Sequence, residues 1–380
     1  MREAETRKLN VQTPAATAPG DGDDPAAEEW TPGLVRTLHL DLLRRPAFDE
    51  QRAALLAPVS HADGSPVLAA ERSRTRPFLA KQLIASVDFW RRWYEEQLYY
   101  FLLVDNFAPR AEGLLSIPDE LAAGTLHVRD AIHRIALSSS FDQRNPGADT
   151  FVTVVMEQIA GLAIDKHRRE LEIGKALYDG KRGTFLGKLG STQSDVVRLA
   201  IEQRSFALAF LAREHARFVH APAPERELAV WATKFLADPR VFSDLLLGWI
   251  ASADYGARLG RREPMDNRLF VRALIVDVCQ REPSAEEFSR MRSALDGLSD
   301  PLPLRSVMAR LLLDSDASAL DAPRSGRTSH ALVGELFERL LGREPCSAES
   351  EAFSAALDAP QGSPRLLAYA LLTHPEYQSY

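Results

Sequence analysis

The chain has 380 residues, 45% apolar and 26% charged, with a net charge of −7 at neutral pH. That length allows two or three domains around a sizeable core, and the acidic balance lacks the basic footprint of a nucleic-acid binder. No apolar run approaches the roughly eighteen residues that a membrane helix needs, and residues 1–30 hold no apolar signal core, so a soluble, cytoplasmic protein without membrane insertion is expected.

Residues 1–29 are rich in Ala, Pro, Thr, Gly and Asp and poor in apolar residues, which predicts a disordered tail. From Trp30 onward Leu34, Leu38, Leu42 and Leu43 fall at helical spacing, as do Leu79, Leu83 and Ile84, and residues 30–145 read as an N-terminal helical domain. Its densest aromatic run is Phe89-Trp90-Arg91-Arg92-Trp93-Tyr94. Phe89, Trp93 and Leu98 fit one helix packed on a core. Trp90, Arg91, Trp93 and Tyr94 are the partner-binding candidates, because Trp, Tyr and Arg enrich interface hot spots.

Residues 146–205 form a distinct central segment. The β-branched run Thr150–Val155 continues into Met156-Glu157-Gln158-Ile159-Ala160 and therefore reads as helix, not strand. A glycine-rich loop spans residues 180–192, ahead of a helix starting near Gln193. Gly183, Gly187, Lys188, Gly190 and Ser191 are its anion-binding candidates, since backbone amides and a helix start favour a phosphate or carboxylate. The spacing is not that of a Walker loop, because Leu189 follows Gly187-Lys188 and no strand precedes. The simpler reading is a plain loop with Ser191 or Thr192 capping the next helix.

Residues 206–380 read as a C-terminal helical repeat domain. Three apolar helices stop at an Arg and a Pro, at Arg45-Pro46, Arg281-Glu282-Pro283 and Arg343-Glu344-Pro345, and acidic residues follow each. Ser284 and Ser347 read as caps for the next helix. Units close on a small hydroxyl residue with an aromatic nearby, as in Ser86–Phe89, Ser138–Phe141, Ser252–Tyr255 and Thr373–Tyr377, or on Ser315 without one. The units run approximately 33–92, 206–258, 268–318 and 331–380, with a fragment near 126–145. Their spacing is too uneven for a rigid solenoid. The predicted fold class is all-α, with degenerate helical units packed into one or two helical domains.

These opening and closing phrases, Leu341 to Glu349 and Leu371 to Tyr377, resemble the helical modules of bacterial domains of unknown function. That group is abundant in planctomycetes and myxobacteria and often accompanies cytochrome-c domains. The resemblance covers about half the chain and implies architecture. It implies neither export nor electron transfer here, because the sequence has no CxxCH motif and no attached cytochrome segment.

Cys279 and Cys346 fit no zinc or redox spacing, and the nine histidines form no HExxH or ExxH pair, so neither metal nor cofactor is expected. Glu214-His215, flanked by Arg213 and Arg217, reads as a solvated face. The leading functional reading is a non-catalytic protein–protein interaction or scaffold protein of helical repeats, with a protein partner. The alternative is an enzyme or anionic-ligand-binding protein with a small-molecule site around the central glycine-rich loop.

Overall fold

The computed structural model describes residues 31–57, 75–103, 112–320 and 327–380. The disorder expected of residues 1–29 lies outside them. Among the described residues the chain is all-α apart from one small hairpin and an isolated bridge between Pro264 and Ser379.

Helix α1 (Pro32–Leu43) begins where Thr31 accepts the Leu34 amide and Pro32 presets the first turn. After it come α2 (Asp49–Leu56), α3 (Arg76–Ile84), α4 (Val87–Leu102), α5 (Glu112–Leu115), α6 (Ile117–Ala122), α7 (Val128–Ala136) and α8 (Ser139–Arg144). The β-branched run is helical, as α9 (Gly147–Val154), and ends in one π turn, Val155–Ile159. Helix α10 (Arg168–Tyr178) then leads into the glycine-rich stretch.

That stretch is an antiparallel hairpin, not the loop expected from its glycines. Strands β1 (Gly183–Phe185) and β2 (Lys188–Gly190) pair Thr184 with Leu189. Leu186 (φ 49°) and Gly187 (φ 82°) form the two-residue link, and two successive positive φ angles match the twist of paired strands. Phe185 is buried and rests on Gly174 of α10, where a Cβ would stand 2.5 Å from Val152 Cγ1 and 3.0 Å from Phe185 Cε2. Gly174→Ala therefore overpacks this contact and costs about 1–3 kcal/mol in chemical denaturation. An unchanged midpoint would show that the hairpin shifts freely on α10.

Helices α11 (Gln193–Ile201), α12 (Arg204–Val219), α13 (Glu225–Ala237), α14 (Phe242–Ala251) and α15 (Ala253–Leu259) complete the first half. The second holds α16 (Asn267–Cys279), α17 (Ala285–Asp296), α18 (Leu302–Leu313), α19 (Ser329–Leu341), α20 (Ser347–Asp358) and α21 (Pro364–Leu372). The buried apolar side chains fall into two clusters. One draws on α1 through α15, and the other on Met265 through Tyr377. Leu40 of α1 belongs to the second cluster, so the first helix contributes to both. Helix α16 is buried on every side from Leu269 to Cys279, as an apolar helix at the centre of a core must be.

The Arg–Pro turns share one construction. Each helix ends on a left-handed residue: Arg44, Gln280 or Gly342. The next residue is an arginine whose Nη1 donates to the following carbonyl, at 2.9 Å for Arg45 and 3.0 Å for both Arg281 and Arg343. The arginine also binds the third residue of the next helix: Gln51, Glu287 or Glu349. That residue in turn accepts the amide of the residue preceding the helix: Phe48, Ser284 or Cys346. The cap before α20 is thus Cys346, with Ser347 already inside the helix. The arginine hydrogen bonds come first among the causes holding Glu287 and Glu349 down to about 2.

The closing serines act as two-sided joints. Ser86 donates to the Leu83 carbonyl and accepts the Phe89 amide, and Ser252 does the same with Trp249 and Tyr255. Phe89, Phe141, Tyr255 and Tyr377 are all buried.

Candidate functional site

The aromatic run of α4, expected to meet a partner, lies in the core of this chain. Trp90, Trp93 and Tyr94 are buried with Phe89, because α4 is covered on several sides by α1, α3 and α6 through α8, and only Arg91 of the four candidates is exposed. Glu214 and His215 are likewise buried, not solvated. Glu214 accepts from Trp93 Nε1 (3.2 Å), Gln97 (3.0 Å), Arg213 and Arg217, and this set of donors makes a buried carboxylate tenable.

The two apolar cores meet across a charged seam. From the first half, Arg36, Arg44, Arg45 and Arg92 reach Asp277, Asp266 and Glu282. From the second, Arg268, Arg272 and Arg339 reach Glu96, Glu95 and Asp49. A polar contact of this kind is typical between domains of one chain.

Two buried aspartates anchor matching positions, each three residues before the left-handed end of its helix. Asp41 accepts from the Tyr255 hydroxyl (2.6 Å) and Arg258 (3.1 Å). Asp277 accepts from the Tyr377 hydroxyl (2.9 Å) and from both terminal nitrogens of Arg36 (2.8 and 3.1 Å). Beside Asp41, His220 places Nδ1 2.7 Å from Glu263 and Nε2 3.5 Å from Asp41. Burial alone would lower its pKa, but the two carboxylates more than reverse this and raise it. An acid inside an otherwise apolar stretch, Leu40-Asp41-Leu42 or Val276-Asp277-Val278, was the available sequence signal for these anchors.

At one end of the seam lies a cleft of about 490 Å³, walled by the first turns of α1, the chain after α15, the end of α19 and residues 376–380. Two glycines shape its floor. A Cβ on Gly33 would come within 2.9 Å of the Gly342 carbonyl oxygen, so α1 crosses the end of α19 at backbone contact. Four guanidinium groups, those of Arg36, Arg261, Arg262 and Arg343, face one carboxylate, Glu376. Asp277 and Glu349 hold Arg36 and Arg343 from behind, and Glu376 pairs with both Arg262 and Arg343. Arg261 is exposed and forms no ion pair among the described residues. The start of α1, the positive end of its helix dipole, opens on the same space.

The hairpin candidates lie elsewhere. Gly183, Gly187, Lys188, Gly190 and Ser191 do not line this cleft. The chain's own carboxylates already meet the hairpin's polar groups. Glu170 accepts the Leu186 amide (2.7 Å), Asp195 the Ser191 amide (2.9 Å) and Glu202 the Lys188 ammonium (2.7 Å). Gly190 is a packing glycine, since a Cβ would lie 2.8 Å from Leu177. Glu157 lines a separate cavity of about 320 Å³ with Tyr100, Phe210 and Arg213. Cys279 is buried and Cys346 exposed, and both thiols are free. No described helix is long and apolar enough to cross a membrane.

Comparisons with protein-family models, with curated proteins and with solved structures find no match to this chain.

Proposed function

We propose that this chain is a non-catalytic interaction protein whose seam cleft receives an anionic group of a protein partner. The observation that carries the reading is Arg261, an exposed guanidinium without an ion pair among the described residues, in a cleft also lined by Arg36, Arg262 and Arg343. Guanidinium groups suit carboxylates because their planar fork matches the two oxygens. The anionic ligand weighed from the sequence is kept in this reading, but its place moves from the hairpin to the cleft.

The architecture supports a scaffold of paired helical units. Asp41 of the unit 33–92 is bound by Tyr255 of the unit 206–258, and Asp277 of 268–318 by Tyr377 of 331–380. The closing aromatic of one unit thus holds the opening helix of another.

The test is calorimetric titration with an octaglutamate peptide, with octalysine as control. The acidic peptide binds, and the Arg261→Ser/Arg262→Ser double variant weakens it about tenfold or more, as expected for lost charge-assisted contacts. Equal binding by the double variant would remove the cleft from the reading.

A further inference from the structure

A third cavity, of about 220 Å³, lies between α12, α13 and α14, away from the seam. Its walls are aromatic. His215 stacks on Trp231 with ring centroids 5.4 Å apart and 27° between planes, and it meets Trp249 edge-on at 5.3 Å. Trp231 and Trp249 are themselves 5.3 Å apart. Around these rings stand three exposed carboxylates, Glu227, Asp244 and Asp254, one each from the first turns of α13, α14 and α15. None of the three forms an ion pair among the described residues, although arginines elsewhere in the chain pair widely. The lining includes no Lys or Arg. Burial lowers the pKa of His215, so its ring adds no positive charge at neutral pH. Trp249 is 3% exposed, and its indole nitrogen has no hydrogen-bond partner among the described residues.

We infer that this cavity binds a compact methylated ammonium group, held against the half-buried Trp231 ring and by the field of Glu227, Asp244 and Asp254. The quadrupole of an indole face attracts a cation whose charge is spread over methyl groups, because such a cation sheds water cheaply. The acids add long-range attraction without the desolvation cost of a close ion pair. A methylated lysine side chain and a free small ammonium share this chemistry.

The two sources separate in one set of titrations on the full chain, followed by tryptophan fluorescence. The probes are choline, its neutral carbon isostere 3,3-dimethyl-1-butanol, and a short peptide carrying either trimethyllysine or plain lysine. Saturable quenching by choline, about tenfold tighter than by the isostere, identifies a free-ammonium site. The same preference for trimethyllysine over lysine peptide, with choline weaker, identifies a methylated side chain. Asp244→Asn, at an exposed position, should weaken the preferred probe severalfold, and Trp231→Leu should abolish it with the far-UV spectrum unchanged. If Trp231→Leu fails to fold, Asp244→Asn alone decides. Equal binding of choline and its isostere, indifference to Asp244→Asn, or no saturable binding of either cation overturns the inference.

Discussion

Asp41→Ala lowers the unfolding free energy by roughly 3–5 kcal/mol, the usual cost of removing one partner from a buried ion pair. Asp41 and Arg258 are 0% and 2% exposed at their side chains, so no water replaces the lost carboxylate. The substitution strands the Arg258 guanidinium, leaves the Tyr255 hydroxyl without its acceptor, and frees one side of His220. Asp41→Asn keeps an oxygen for Tyr255 but not the charge, and falls between wild type and Asp41→Ala. Tyr255→Phe removes a single hydrogen bond and costs about 1 kcal/mol. Urea denaturation at pH 7 ranks the three variants. A loss below about 1 kcal/mol for Asp41→Ala would mean that the pocket opens to water and that the two units are not held there.

Acid weakens the fold through His39. Burial, with a smaller contribution from Arg45, lowers this imidazole to about 4 against an ordinary 6.5, although its Nδ1 keeps a 2.8 Å bond to the Val35 carbonyl. The folded state therefore binds fewer protons than the unfolded chain between these values. Its contribution is complete above pH 6.5 and is lost as pH falls toward 4. The loss reaches about 3 kcal/mol at 1.36 kcal/mol per unit. His220 works in the opposite direction: its raised pKa adds stability at low pH that fades as pH rises through the folded value. Comparing wild type with His39→Gln at pH 7.5 and pH 4.5 isolates the first effect, because the other groups titrate in both proteins. The wild type should lose about 2–3 kcal/mol more than the variant between the two pH values. An equal loss in both would show that His39 takes up its proton inside the fold as readily as in the unfolded chain.

The helices were legible because their information is local. Leu34, Leu38 and Leu42 mark a face, and Thr31 and Ser284 mark starts. The clamp of Arg281 on Glu287 spans only six residues. The hairpin was hidden because its strands are three residues each, and Leu186 occupies a turn position where Asn or Asp would have signalled strand pairing. The burial of Trp90 and Tyr94 depends on how many neighbours surround α4, which periodicity does not encode. Glu214 could be placed only by knowing that Trp93 and Gln97 lie against it, 121 and 117 residues away in sequence. The cleft and the seam depend still more on long-range contacts, since Arg36 and Asp277 are 241 residues apart.

That separation has a consequence for biosynthesis. Arg36 of α1 finds its carboxylate only after 241 further residues have been made. At roughly 5–20 residues per second this delay is on the order of ten to fifty seconds. Until then the guanidinium of Arg36 lacks the Asp277 carboxylate that it binds in the finished fold. Residues made long after α1 thus complete the surroundings of its Arg36.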